Sequence, residues 1–199
     1  MSDDTKTELS VSEENKTQST QVFQFELKEI DNVHLANAIF KREAADKKKW
    51  NYLENLPGRH PDYHYGIFAS NRGGYHSPYD LFKTTKDKVL SQLHDEILKC
   101  VKKLLNRETI KVKSSWANVN RPGHYNAKHN HDIPVVGVYY VKTDTTIADP
   151  GGELMICAEN IKITPKAGML LVFPGRTQHE VLKYKGTSPR ISIAMNFSV

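Results

Sequence analysis

His129-Asn130-His131-Asp132 sits amid short β-rich segments, with His179 and Arg190-Ile191-Ser192 downstream. In an extended chain side chains repeat every two residues, so His129 and His131 fall on one side and both imidazoles can point at one ion. Imidazole is a common ligand for first-row metals, and two histidines plus one further donor in a facial set suit non-haem Fe(II) oxygen chemistry. His179 is the natural third histidine, because it follows a strand running from Gly168 to the Pro174-Gly175 turn.

The surrounding pattern is that of strands. Ser115 to Asn120, Ile133 to Val141, Glu153 to Cys157, Ile161 to Ile163, Met169 to Phe173, Glu180 to Tyr184 and Arg190 to Val199 are short and β-rich. Turn signals such as Arg121-Pro122-Gly123, Asp149-Pro150-Gly151-Gly152 and Pro174-Gly175 separate them. Regular short strands with such breaks predict an antiparallel sandwich or barrel. Upstream, Phe23, Phe25 and Leu27 alternate as a first strand, and Asp31 or Asn32 caps a helix reaching Lys49. The segment from Trp50 to Tyr79 reads as loop. Thr84 with Asp87 resembles a capping box for a helix with Val89, Leu93, Ile97, Val101 and Leu104 on its core face. The expected class is mainly β with flanking α, the N-terminal helices packed on one outer sheet face.

The 199 residues suffice for one sizeable core. Residues 1–21 are polar, with Leu9 and Val11 the only aliphatic residues, and read as a disordered tail before a single domain over 22–199. No signal-peptide core or membrane-length apolar run is seen, so a soluble cytoplasmic protein is expected. Cys100 and Cys157 are too few and too far apart for a zinc motif or disulfide framework, and read as buried, reduced thiols. The net charge of +5 is modest. Lys47-Lys48-Lys49 and Lys102-Lys103 could contact phosphates, yet no basic-aromatic interleaving accompanies them, so a nucleic-acid partner is not favoured.

Two parity arguments extend the site. If the histidine strand runs unbroken through Pro134, Val135, Gly137 and Tyr139 line the same interior. In the last strand Arg190, Ser192, Ala194 and Asn196 share one face. A buried arginine is costly without an anionic partner, and a bidentate carboxylate is its natural guest. His34, His60, His64, His76, His94 and His124 have no supporting pattern and are read as structural.

These residues carry a resemblance. From Asn118 onward the chain resembles the Fe(II)- and 2-oxoglutarate-dependent oxygenase superfamily, whose fold is a double-stranded β-helix, the jelly-roll or cupin-like barrel. The matching pieces are Gly123 with His129-Asn130-His131, Gly151-Gly152-Glu153-Leu154, Gly168 to Pro174, His179 and Arg190-Ile191-Ser192. More narrowly, Ser70 to Ser77, His129-x-His131 and Gly137-Val138-Tyr139-Tyr140 resemble small, mostly uncharacterised members from bacteria and their phages. The resemblance spans roughly Ile67 to Val199. It implies His129 and His179 as iron ligands and Arg190 and Ser192 as the hold on the far carboxylate of 2-oxoglutarate. Tyr139 joins them as a candidate hydroxyl on parity. The superfamily pattern H-x-D/E is broken at His131, and Asp132 faces the other side of the strand, so the expected metal set is His129, His131 and His179.

The implied activity is a dioxygenase using Fe(II), 2-oxoglutarate and dioxygen, hydroxylating an unidentified substrate with release of succinate and carbon dioxide. Asn118, Asn120 and Asn196 are substrate-contact candidates, as is the loop from Arg72 to Tyr75. The substrate could be a small molecule, a peptide or a nucleobase. A cupin-like three-histidine metal protein not using 2-oxoglutarate is the alternative: Gly123 to His131 opens its first motif, but its glutamate would fall at Val135 or Val136, and Arg190-x-Ser192 would have no role.

Overall fold

The alternation in the last strand organises the molecule. Ile191, Ile193, Met195 and Phe197 are buried on one side, while Arg190, Ser192, Ala194 and Asn196 line a cavity on the other. The structure, a computed structural model, describes residues 7–8, 21–54 and 70–199. In chain order its elements are β1 (Thr7–Glu8), β2 (Phe23–Glu26), α1 (Asn32–Glu54), β3 (Asn71–Arg72), β4 (Tyr75–His76), α2 (Leu81–Thr84) and α3 (Lys88–Leu105). There follow β5 (Lys111–Asn120), β6 (Tyr125–His129), β7 (Val135–Lys142), β8 (Leu154–Ile156), β9 (Ile161–Ile163), β10 (Met169–Pro174), β11 (His179–Val181) and β12 (Arg190–Ser198).

Two antiparallel sheets form, ordered β1-β2-β10-β7-β12-β5-β4 and β3-β6-β11-β8-β9. This is the double-stranded β-helix expected from the resemblance. Strand β12 lies in the interior of the larger sheet between β7 and β5, with Ser192 opposite Asn118 of β5 and Tyr140 of β7. The helices cover the outer face of that sheet. Leu35 and Ile39 of α1 and Leu93, Ile97 and Val101 of α3 pack with Tyr139, Val141, Ile191 and Ile193. A second apolar cluster of Val136, Tyr140, Leu154, Ile156, Leu171 and Phe173 joins the inner face to the smaller sheet.

Several expectations are revised. The histidine strand is not continuous through Pro134: β6 ends at His129 and belongs to the smaller sheet, whereas β7 starts at Val135 in the larger one. Proline cannot donate to a ladder, and residues 130–134 turn between the sheets there. The cap of α3 is Asp87, whose carboxylate accepts the Val89 and Leu90 amides; Thr84 instead ends the short α2. Helix α1 runs to Glu54 rather than Lys49, and Val33 on it is exposed. Cys100 and Cys157 are unbridged thiols but only half-buried. Of the expected tail, Thr7–Glu8 pair with β2; its other residues up to 20 lie outside the described residues, as do 55–69 with His60 and His64. No described helix is long and apolar enough to cross a membrane.

Candidate metal centre

His129 closes β6 and His179 opens β11, and the two are direct cross-strand partners. Cross-strand partners on one face are neighbours whatever their sequence separation, and these two ring centroids lie 4.3 Å apart. His131 reaches them differently. It lies in the turn after β6, where its backbone N–H donates to Gly175 O at 2.8 Å. That bond ties the turn to the end of β10 and brings the imidazole parallel to His179, at 5.4 Å and 7°. One nitrogen of each ring lies within 4.8 Å of the others.

The ring nitrogens are sorted by their partners. His129 Nδ1 is 2.8 Å from Ala127 O, and His179 Nδ1 is 2.8 Å from Thr177 O. A carbonyl only accepts, so both Nδ1 atoms carry the proton and each Nε2 keeps a lone pair. The Ser70 hydroxyl lies 3.3 Å from His129 Nε2. Burial lowers the pKa of all three. It brings His131 to about 4 with help from His129, and His179 to about 3 with help from both other rings. His129 is lowered by burial too, with its bond to Ala127 opposing. The triad is therefore neutral at physiological pH, the state that ligates a metal. Asp132 does not join it: its side chain is fully exposed and sits 3.9 Å from Arg176.

Above the triad is a cavity of about 390 Å³ walled by both sheets. Arg190 lines it and is 1% exposed. Its Nη1 donates to Asn120 Oδ1 at 3.0 Å and to Ser192 Oγ at 3.4 Å, while Nε makes no hydrogen bond. The guanidinium lies 5.2 Å from the Tyr140 ring and takes part in no ion pair among the described residues. Burial pulls its pKa down, with Tyr140 opposing, but a guanidinium stays charged in a protein. Gly152 makes room for it. At φ +75 a Cβ there would lie 2.9 Å from Arg190 Cδ.

The sequence-expected residues divide by position. His129, His131, His179, Arg190, Ser192, Asn118 and Asn196 all line the cavity. Tyr139 does not: the break at Pro134 reverses the expected parity, so it faces the helices and donates its hydroxyl to Asn32 Oδ1 at 2.8 Å. Its neighbour Tyr140 lines the cavity instead. Asn120 is spent on Arg190 and is absent from the lining. Around the Arg72-to-Tyr75 loop it is the flanking Ser70 and His76 that reach the cavity. The sequence reading missed Trp116 and His76. Trp116 shares the parity of Asn118 along β5, a usable signal, whereas His76 arrives through the pairing of β4 with β5.

Residues 114–196 match a family model described as "Putative 2OG-Fe(II) oxygenase". The fold is similar to a Pseudomonas putida prolyl-4-hydroxylase at TM-score 0.59 and 20% identity, covering 90% of this chain and 92% of that one. It is similar to the viral collagen prolyl hydroxylase vCPH of Paramecium Bursaria Chlorella virus-1 in its 2OG complex, at TM-score 0.51 and 18% identity over 66% and 82% of the two chains. Iron-bound HygX from Streptomyces hygroscopicus gives TM-score 0.50 and 11% identity over 63% and 71%. No curated protein matches in sequence.

Proposed function

We propose that this chain is an Fe(II)/2-oxoglutarate-dependent dioxygenase of the superfamily whose model matches residues 114–196, holding its metal on His129, His131 and His179 and anchoring its co-substrate on Arg190 and Ser192. When bound, Fe(II) with 2-oxoglutarate and dioxygen supplies oxidative decarboxylation to succinate and carbon dioxide coupled to substrate oxidation, most simply hydroxylation. The donor set fits a first-row divalent ion: three neutral imidazoles within 4.8 Å, two oriented by backbone carbonyls.

The observation that carries the reading is Arg190. A buried guanidinium with no carboxylate in ion-pair contact, Glu153 acting on it only from a distance, is expensive, and its Nε, which makes no hydrogen bond, is free to donate to an anion. A planar carboxylate matches its fork geometry. Asn120 fixes the guanidinium, and the Ser192 hydroxyl supplies a further donor beside it. The cupin-like alternative gives this charge nothing to hold.

The rest of the cavity belongs to the substrate. At about 390 Å³ it is near the low end of the ~300–1,000 Å³ typical of small-ligand sites. It takes the co-substrate together with a group the size of one side chain or base. Asn118 and Asn196 present amides there, and Val136, Val138 and Phe173 present apolar surface.

The test is spectroscopic. Anaerobic Fe(II) plus 2-oxoglutarate is expected to give a weak visible charge-transfer band, lost in Arg190→Ala. Iron bound with no such band in the unaltered protein would sink the reading.

A further inference from the structure

His129 and His179 are each fixed by an Nδ1–H bond to the carbonyl two residues back. Among the described residues nothing does this for His131, whose ring makes no hydrogen bond. Its ring is fixed by π faces instead. His179 lies parallel to it at 5.4 Å, and Trp116 lies 6.0 Å away with 27° between planes.

Trp116 is itself immobilised. It sits on β5 at 7% exposure, opposite the small Ala194 of β12. The His76 ring stacks on it at 5.5 Å and 12°, and the Tyr79 ring meets both edge-on at 5.1 Å. His76 is in turn held through Nδ1 to Ser77 O at 2.6 Å. The rings form a column from β4 to the metal centre: His76, Trp116, His131, His179.

We propose that Trp116 is the positioning residue of His131, its indole doing for that imidazole what backbone carbonyls do for the other two. This rests on the reading of His131 as a metal ligand. The physical reason is twofold. Stacking restricts the ring to the orientation that aims a nitrogen at the other two, so less orientational freedom is lost when a metal binds. A metal-bound imidazole also carries part of the cation's charge, and an indole face attracts positive charge. The effect matters most where, as here, the third ligand is neutral and brings no charge of its own to retain the ion.

Calorimetric titration of the full chain with Co(II), without co-substrate, tests this in wild type, Trp116→Leu, Trp116→Phe, His131→Ala and the double variant Trp116→Leu/His131→Ala. Trp116→Leu is expected to weaken Co(II) binding about tenfold or more, the usual cost of losing a group that orients a ligand. Trp116→Phe, which keeps a π face, is expected to lose less than about threefold. In the His131→Ala background Trp116→Leu should add less than about threefold, because the two residues act through one contact. A folded Trp116→Leu that binds as tightly as wild type would overturn the inference, and so would an equal loss in both backgrounds. Should Trp116→Leu not fold, Trp116→Met is read in the same cycle with the same criteria. A His131→Ala protein with wild-type affinity would overturn the ligand reading itself, and the positioning role with it.

Discussion

Replacing Arg190 by methionine should separate stability from co-substrate binding. Methionine keeps a long unbranched chain but removes a charge that is 1% exposed and pairs with no acid among the described residues. In the ligand-free protein two effects oppose. The desolvation cost of the buried charge disappears, while Asn120 Oδ1 loses its 3.0 Å donor, which costs about 1–3 kcal/mol. For a chain of this length about 1 kcal/mol shifts Tm by ~2–4 °C, so the ligand-free melting point should stay within about 4 °C of wild type. Binding behaves otherwise. Removing one partner of a buried, hydrogen-bonded charge pair costs about 2–5 kcal/mol, or roughly 30- to 5,000-fold in Kd. Calorimetry of 2-oxoglutarate against the anaerobic Fe(II) protein reads this directly. Melting gives a second reading: ligand at about 100 times Kd stabilises wild type by about 2.7 kcal/mol, a rise of ~5–11 °C that the variant should lack at the same concentration. A variant whose Kd stays within about threefold of wild type would refute the assignment of Arg190 as the carboxylate anchor.

The depressed histidine pKa values set a pH dependence. Below about 6.5 an unfolded chain protonates these imidazoles while the folded one does not, so the metal-free protein is fully stable above that pH. It then loses stability as the pH falls toward about 4 for His131 and about 3 for His179. Metal binding near pH 7 should release almost no protons, because the ligands are already neutral. Titration in buffers of different ionisation enthalpy checks this, and release of about one proton per site would contradict it. Tyr139→Phe should lower stability by about 1 kcal/mol through loss of the bond to Asn32. Its 2-oxoglutarate affinity should not change, and a fall of tenfold or more would return Tyr139 to the co-substrate site.

How much was legible in the sequence follows from where the chain is regular. Arg190, Ser192, Ala194 and Asn196 could be placed on one face because β12 is an uninterrupted strand, and strand periodicity is local information. The same reasoning failed for Tyr139. Pro134 ends the local period, the chain changes sheets, and the parity carried across from His131 no longer held. His131 reaches the cluster by a turn tied to Gly175, a contact between segments far apart in sequence. The role of Asn120 was hidden for a related reason. Parity grouped it with Asn118, but only the β5–β12 register sets it against Arg190. The column through His76 and Trp116 depends on sheet order, which no local pattern encodes.

The central claim is that a histidine stands as a ligand where the superfamily pattern has an acid. X-ray absorption at the iron edge, on the anaerobic Fe(II) protein with 2-oxoglutarate bound, counts imidazoles through their outer-ring scattering. Three imidazoles are expected, falling to two in His131→Ala. Two imidazoles in the unaltered protein, unchanged by that substitution, would contradict the account.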